Sequence, residues 1–447
     1  MNFSTATMDQ LLSRTAIPCA CERPHKIDLC FVRIAPGAVR SLPEALSRAG
    51  VARPFIVCDE NTHRAAWPAM EPVLRTAGVP YALHILRGAH IEPDERAMGS
   101  LAMAFDPACD GILAVGSGVI TDCCKALAHA VRLPGVVFAT APSMDGYASN
   151  SSSMIRDGVK VTLYNACPAA IIGDIDVIQA APMRMLWAGL GDMLAKYVSI
   201  CEWRIAHLIT GEYYCENIAG LVRASLQKIM RSAEGLAGRD PDAVRAVMEG
   251  LVLSGVAMGF AQISRPASGL EHYFSHVWEM MALARGKTPD LHGIQVGVGT
   301  CLTLKLYEKI RNIQPDRERA LAFVSAFDAK AWEAQMRGIF GQAAESIIDM
   351  EKKLYHKNDP EGHTQRLERI LANWPQIIRI INEELPAARD ILQWLAKLGM
   401  PATPAEIGVA DADVRSAFVG SRDIRDKYLT SSLLWDLGLL REFAQQL

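Results

Sequence analysis

The chain has 447 residues, half of them hydrophobic and 7% aromatic, with a formal net charge of -3. That length exceeds what one hydrophobic core supports, so two domains are expected. Lys and Arg form no run or stripe, so phosphate-backbone binding is excluded and nucleic acid is not an expected partner.

The N-terminus carries Asp9 and Arg14 early and lacks a continuous apolar core, so no secretory leader is read there. Other apolar stretches are broken by Gly, Pro or charge before reaching membrane-spanning length. The expectation is a cytoplasmic protein with no membrane partner. The 11 cysteines are an odd number in apolar surroundings, such as Cys58 and Cys123-Cys124, which suits buried thiols in a reducing compartment. Cys19 and Cys21, taken with Cys30, have a spacing that matches no usual zinc knuckle and are set aside.

From residue 27 to about 175, short β-rich runs alternate with helix-compatible stretches. The strands are expected at Ile27 to Ile34, Pro54 to Val57, Tyr81 to Leu86, Gly111 to Val115 and Gly135 to Thr140. Helices are expected at Ser41 to Ala49, Glu60 to Ala77 and Val119 to Val131. This is the rhythm of a parallel sheet covered by helices, an α/β Rossmann-like half. Asp157-Gly158, flanked by β-favouring residues, signals a hairpin beside that sheet. After Ile171-Ile172-Gly173-Asp174 the pattern turns to long helical periodicity, so an all-α half is expected to follow. The expected domains are 1–178 and 179–447. The charged stretch from Asp349 to Arg369 reads as a solvated helix pair turning at Asp359-Pro360.

Two loops follow consecutive strands. Gly116-Ser117-Gly118-Val119-Ile120-Thr121-Asp122 ends one strand and opens a helix, where glycines and free N–H groups suit a pyrophosphate. The motif lacks the third glycine of the dinucleotide fingerprint, and a plain tight turn accounts for it equally well. The second loop, Thr140 to Asn150, is dense in hydroxyls, with Ser143 and Ser149, and carries Asp145; loops beyond the carboxyl ends of parallel strands are where such sheets bind ligands. Asp59 is either a ribose acceptor or a helix cap.

In the helical half, Asp192, His272 and His292 read together as a divalent-metal site with open coordination positions. His276 follows His272 at a spacing that lets either bind, and the spacing does not choose between them. Lys196 and Arg265 are candidate anion clamps.

The runs 116–122, 140–147, 157–160, 189–197, 210–215 and 264–272, with His292-Gly293, resemble the iron-containing alcohol dehydrogenase and dehydroquinate synthase superfamily, and within it the sn-glycerol-1-phosphate dehydrogenases of the bacterial kind. The resemblance covers roughly residues 27 to 307. It implies that fold, and that Gly118 through Asp122, Thr140, Ser143 and Ser149 hold NAD or NADP. It implies that Asp145 and His276 contact substrate, that Asp192, His272 and His292 bind one divalent metal, with zinc or nickel the leading ions, and that Asp192 also lies near substrate. The implied reaction is reduction of dihydroxyacetone phosphate to sn-glycerol 1-phosphate, and His276 is the candidate for positioning the substrate hydroxyl or relaying the proton, because imidazole titrates near neutrality. A homodimer is implied as well. The rivals are a glycerol or polyol dehydrogenase, which needs no anion clamp, and a dehydroquinate synthase-like phosphate lyase, for which the 265–292 stretch offers only Arg265, Arg285 and Lys287 as basic residues.

Overall fold

The computed structural model describes residues 1–13, 15–157 and 159–447; Arg14 and Gly158, the second residue of the expected hairpin turn, lie outside them. The strands are β1 (Phe31–Ala35), β2 (Pro54–Asp59), β3 (Ala82–Leu86), β4 (Gly111–Gly116), β5 (Gly135–Ala139), β6 (Ser151–Arg156), β7 (Val159–Tyr164) and β8 (Ala170–Asp174). Six of them form a parallel sheet in the order β1-β8-β5-β4-β2-β3, while β6 and β7 pair antiparallel as the expected hairpin. β2, β4 and β8 read as unbroken apolar runs because a parallel sheet is covered on both faces. Among the described residues the first helices are α1 (Met8–Leu11), α2 (Leu42–Arg48), α3 (Glu60–Thr76), α4 (Glu95–Ala104), α5 (Gly118–Val131) and α6 (Ile175–Ile178). Leu42, Leu46 and Met70 from the helices pack with Ile56, Leu113, Phe138 and Ile172 from the sheet in one core.

The long helices then follow: α7 (Met183–Thr210), α8 (Glu216–Ser232), α9 (Pro241–Ala261), α10 (Leu270–Ala284) and α11 (His292–Ile310), with further helices to Leu440–Gln445. The strands end where expected, but the compact units are drawn differently from 1–178 and 179–447. The first contains 1–193 and 215–267; the second contains 194–214 and 268–447 and is helical. α8 and α9 therefore belong with the sheet, and α7 is one helix that starts in the first unit and ends in the second. The change of secondary structure near Asp174 is legible in sequence. The packing of later helices back onto the sheet unit is not.

Two other expectations need correction. α9 is long and apolar enough to span a membrane, with mean hydropathy 1.5, although 78% of that window is buried. It is apolar on all sides because it is a core helix of the first unit. In the stretch from Asp349 to Arg369, the Asp359 carboxylate does cap the helix that begins at Pro360, accepting from Gly362 N–H at 2.7 Å. The stretch is not wholly solvated, since Glu351 and His363 are buried.

Candidate active site

β4 and β5 are neighbours in the sheet, so the loops that follow them lie side by side, tied where Thr140 N–H donates to Gly116 C=O at 3.1 Å. Gly116 is small for packing: a Cβ there would come within 2.6 Å of Ile120. At Gly118 the nearest neighbour to a Cβ is Met144 at 3.7 Å, so the backbone is open at the start of α5. Ser117 caps α5; its hydroxyl accepts from Gly118 N–H at 2.6 Å and lies 2.6 Å from the Ser143 hydroxyl. Val119 and Ile120 form the first turn, with the Ile120 side chain buried. Thr121 is fully buried, and its hydroxyl finds no hydrogen-bond partner among the described residues. Asp122 is engaged by the protein itself, accepting from Ser153 N–H at 3.2 Å and pairing with Lys125 at 3.4 Å. Burial pushes its carboxyl above the usual range, against the opposing effect of Lys125.

Lys125 was not singled out by sequence. It is buried, and its ammonium donates to Gly146 C=O at 2.9 Å, to the Ser149 hydroxyl at 3.1 Å and to Ser151 C=O. It thereby fixes the loop that carries Asp145. The Ser149 hydroxyl in turn lies 3.0 Å from both Gly146 C=O and Ser151 C=O, so its one proton stays within that loop. The available signal was a lysine in the apolar run Cys123-Cys124-Lys125-Ala126-Leu127, a charge on a buried helix face.

α7 and α9 close on the same loop. A Cβ at Gly189 would lie 1.7 Å from Pro142 C=O, so only glycine lets α7 approach the loop so closely. The turn Asp145–Ala148 then presents its first N–H to Asp192 Oδ2 at 2.8 Å, and Ser254 donates to Asp145 Oδ2 at 2.9 Å. Asp145 and Asp192 are thus brought together, with Asp192 only 1% exposed.

In the second unit, α10 and α11 are antiparallel-spaced so tightly that a Cβ at Gly299 would lie 2.5 Å from Glu271 C=O. α10 starts where the Glu202 carboxylate accepts from Leu270 N–H at 3.0 Å. The close approach of α10 and α11 brings three imidazoles together. The His292 ring centroid lies 5.4 Å from that of His272 and 5.5 Å from that of His276. The His272 Nδ1 is 2.8 Å from Glu271 Oε1; the His292 Nδ1 is 3.0 Å from the Ser275 hydroxyl and 3.3 Å from Glu279 Oε1. Glu279 also faces His276 Nδ1, at 3.5 Å. Ser275 and Glu279 escaped the sequence reading; a lone carboxylate in Val277-Trp278-Glu279-Met280-Met281 is the signal that could have found Glu279. Burial drives the pKa of His276 well below 6.5, helped by Arg425 and His292 and opposed by Glu279, so its imidazole is neutral near pH 7.

Among the remaining candidates, Asp59 caps α3, its Oδ1 accepting from Asn61 N–H at 2.8 Å and Thr62 N–H at 2.7 Å. Lys196 and Arg265 are each buried, while Arg285 is spent on a bidentate surface pair with Asp413 at 2.6 and 2.7 Å. A cleft of about 720 Å³ lies elsewhere in the first unit, beside His84, Arg87, His90 and Arg96, and none of the expected site residues lines it.

Sheet order, loops and imidazole cluster define a class of dinucleotide- and metal-dependent dehydrogenase fold. Residues 33–182 match the family model described as iron-containing alcohol dehydrogenase. The chain is similar along 93% of its length to glycerol dehydrogenase from Schizosaccharomyces pombe, at TM-score 0.58 and 14% identity over 90% of that chain. It is also similar to NADH-dependent butanol dehydrogenase A from Thermotoga maritima, at TM-score 0.57 and 13% identity, covering 93% of this chain and 96% of that one. These likenesses show the fold.

Sequence relatives narrow the class. A glycerol-1-phosphate dehydrogenase [NAD(P)+] of Halalkalibacterium halodurans is 35% identical over 299 residues, 66% of this chain and 75% of the relative. The enzyme of that name from Bacillus subtilis is 30% identical over 91% of each chain, and that from Thermococcus kodakarensis 35% identical over 61% of this chain and 75% of its own. The chain belongs to the glycerol-1-phosphate dehydrogenase family.

Proposed function

We propose that this chain catalyses the reversible, NAD(P)H-dependent reduction of dihydroxyacetone phosphate to sn-glycerol 1-phosphate. The observation that carries the proposal is the imidazole cluster of α10 and α11, with Nδ1 of His272 and His292 each engaged by a carboxylate or hydroxyl partner. Such a partner fixes the tautomer and turns Nε2 into the coordinating nitrogen. Two neutral imidazoles with a carboxylate suit a borderline divalent ion, and the proposed ligands are His272, His292 and Asp192, with zinc or nickel the ion. When bound, such an ion supplies Lewis acidity at the ketone oxygen.

The chain's own residues do the rest. The open backbone at Gly118 and the first N–H groups of α5 receive the pyrophosphate, with Thr140, Ser143 and the buried hydroxyl of Thr121 behind them. Asp59 remains a ribose acceptor through the oxygen that does not carry the cap bonds. Asp145, held by Ser254, orients a substrate hydroxyl. His276, neutral, positions the substrate hydroxyl or relays a solvent proton to the oxygen of C2, accepting it on one ring nitrogen as it releases the proton of the other, while hydride arrives from the nicotinamide at that carbon. Lys196 and Arg265 are the candidate partners of the ester phosphate. The working form is a cytoplasmic homodimer accepting either nicotinamide cofactor.

The test is nicotinamide absorbance decay on metal-stripped protein resupplied with zinc, nickel or manganese. Metal-dependent decay with dihydroxyacetone phosphate, and little with dihydroxyacetone, is expected. Turnover with the unphosphorylated ketone alone would make the chain a polyol dehydrogenase.

A further inference from the structure

The first unit contains a second cluster of metal-binding side chains, which draws on the N-terminal segment and on Cys215, the last residue of the 210–215 run. Cys19, Cys21, His25 and Cys215 each offer one ligand atom, and the four atoms lie within 4.8 Å of one another. Cys30, grouped with the first two by sequence, is not among them; its thiol points to Arg48 C=O.

We propose that Cys19, Cys21, His25 and Cys215 form a structural zinc site that clamps the N-terminal segment to the start of α8. A tetrahedral ion with Zn–S of about 2.3 Å and Zn–N of about 2.0–2.1 Å requires edges of about 3.8 Å between sulfurs and about 3.6 Å from sulfur to nitrogen. The observed edges are 3.6 Å for Cys19 Sγ to Cys215 Sγ, 3.3 Å for Cys21 Sγ to His25 Nε2, and 3.7 Å for Cys215 Sγ to His25 Nε2. The tautomer is fixed from behind. His25 Nδ1 lies 3.0 Å from Phe260 C=O, which only accepts, so Nδ1 carries the proton and Nε2 turns its lone pair toward the sulfurs. His25 is fully buried, stacked on Phe260 and met edge-on by Phe3, so the ring cannot turn away.

The thiols are placed with equal care. Ile17 and His25 exchange backbone hydrogen bonds, closing a loop in which Cys19 C=O accepts from Glu22 N–H and Glu22 takes the left-handed conformation. Both cysteines are carried on that loop. Cys215 is the N-cap residue of α8, where the helix dipole favours an anion. The Asn217 amide donates to Cys19 Sγ at 3.2 Å. Three thiolates and an imidazole select zinc over magnesium or manganese, and four protein ligands leave no open position for catalysis.

The test is a Co²⁺ titration of the reduced, chelator-stripped full-length protein, read at the sulfur-to-cobalt charge-transfer band. Wild type and H292A are expected to develop the band with about one equivalent of cobalt, because a site without thiolates gives no such band. C21S and H25Q should bind cobalt there at least about tenfold more weakly, and hydrogen exchange across residues 17–25 should rise in both variants and in stripped wild type. No band in wild type, or an undiminished band in both variants, would overturn the site. So would a Cys19–Cys215 disulfide in freshly purified, metal-free protein. The wild-type titration and the exchange data decide the matter even where a variant does not fold.

Discussion

The loops after β4 and β5 and the imidazole cluster of α10 and α11 hold their side chains in opposite ways. In the loops the hydroxyls and carboxylates are turned inward: Ser149 donates to its own loop, Ser117 and Ser143 face each other, and Asp122 is bound to Ser153 and Lys125. What such a loop offers outward is backbone N–H, as a helix N-terminus must for a phosphate. In the cluster, Glu271, Ser275 and Glu279 each take one nitrogen of a ring, so that the other is aimed. On the proposed function a dinucleotide would be received by backbone and a metal by side chains, and substitutions should act differently in the two places.

The largest expected effect lies where helix and loop meet. G189A places a methyl 1.7 Å from Pro142 C=O, so the loop or α7 must shift, at a cost of about 3 kcal/mol. Thermal unfolding should fall accordingly; an unchanged midpoint would show that this contact is not tight. Next is E279Q, which keeps the shape but weakens the partner of His292 Nδ1. Metal affinity by chelator competition should drop about 10–100-fold with KM for cofactor unchanged. Equal losses in both would mean the cluster does not act as a metal seat.

K125M removes the ammonium that holds Gly146 C=O, Ser149 and Ser151 C=O, and should destabilise the protein by roughly 1–3 kcal/mol and raise the cofactor KM more than it lowers metal affinity. A metal defect without a cofactor defect would reverse the comparison. D59A is expected to be smallest. Loss of the cap should cost about 1 kcal/mol in denaturant unfolding, and any further rise in KM measures the ribose contact separately.

The fold was legible because it is written locally. The strands of the parallel sheet are short apolar runs, the turn after β4 is glycine-rich, and the hairpin carries Asp157 at its turn. Asp145, Asp192 and the histidines were proposed as site residues through motifs whose residues are close in sequence. What escaped were pairings fixed only by packing. Lys125 looks like an ordinary surface lysine until its helix face is known to be buried. Glu279 gains meaning only when α11 brings His292 beside it. Cys215 stands 190 residues from His25, and no spacing rule reaches that far. The length of apolar sequence in α9 was underrated, since a helix buried on nearly all sides has the composition of one that crosses a bilayer.

The account rests on the imidazole cluster seating the ion on which hydride transfer depends. The most direct measurement compares H292A with wild type for bound metal and for NAD(P)H oxidation by dihydroxyacetone phosphate in the same preparations. Loss of about one metal equivalent with a fall in kcat/KM of at least about 10²–10³-fold is predicted, while the fold and nucleotide binding persist. Full activity in a variant that has lost that metal would contradict the account.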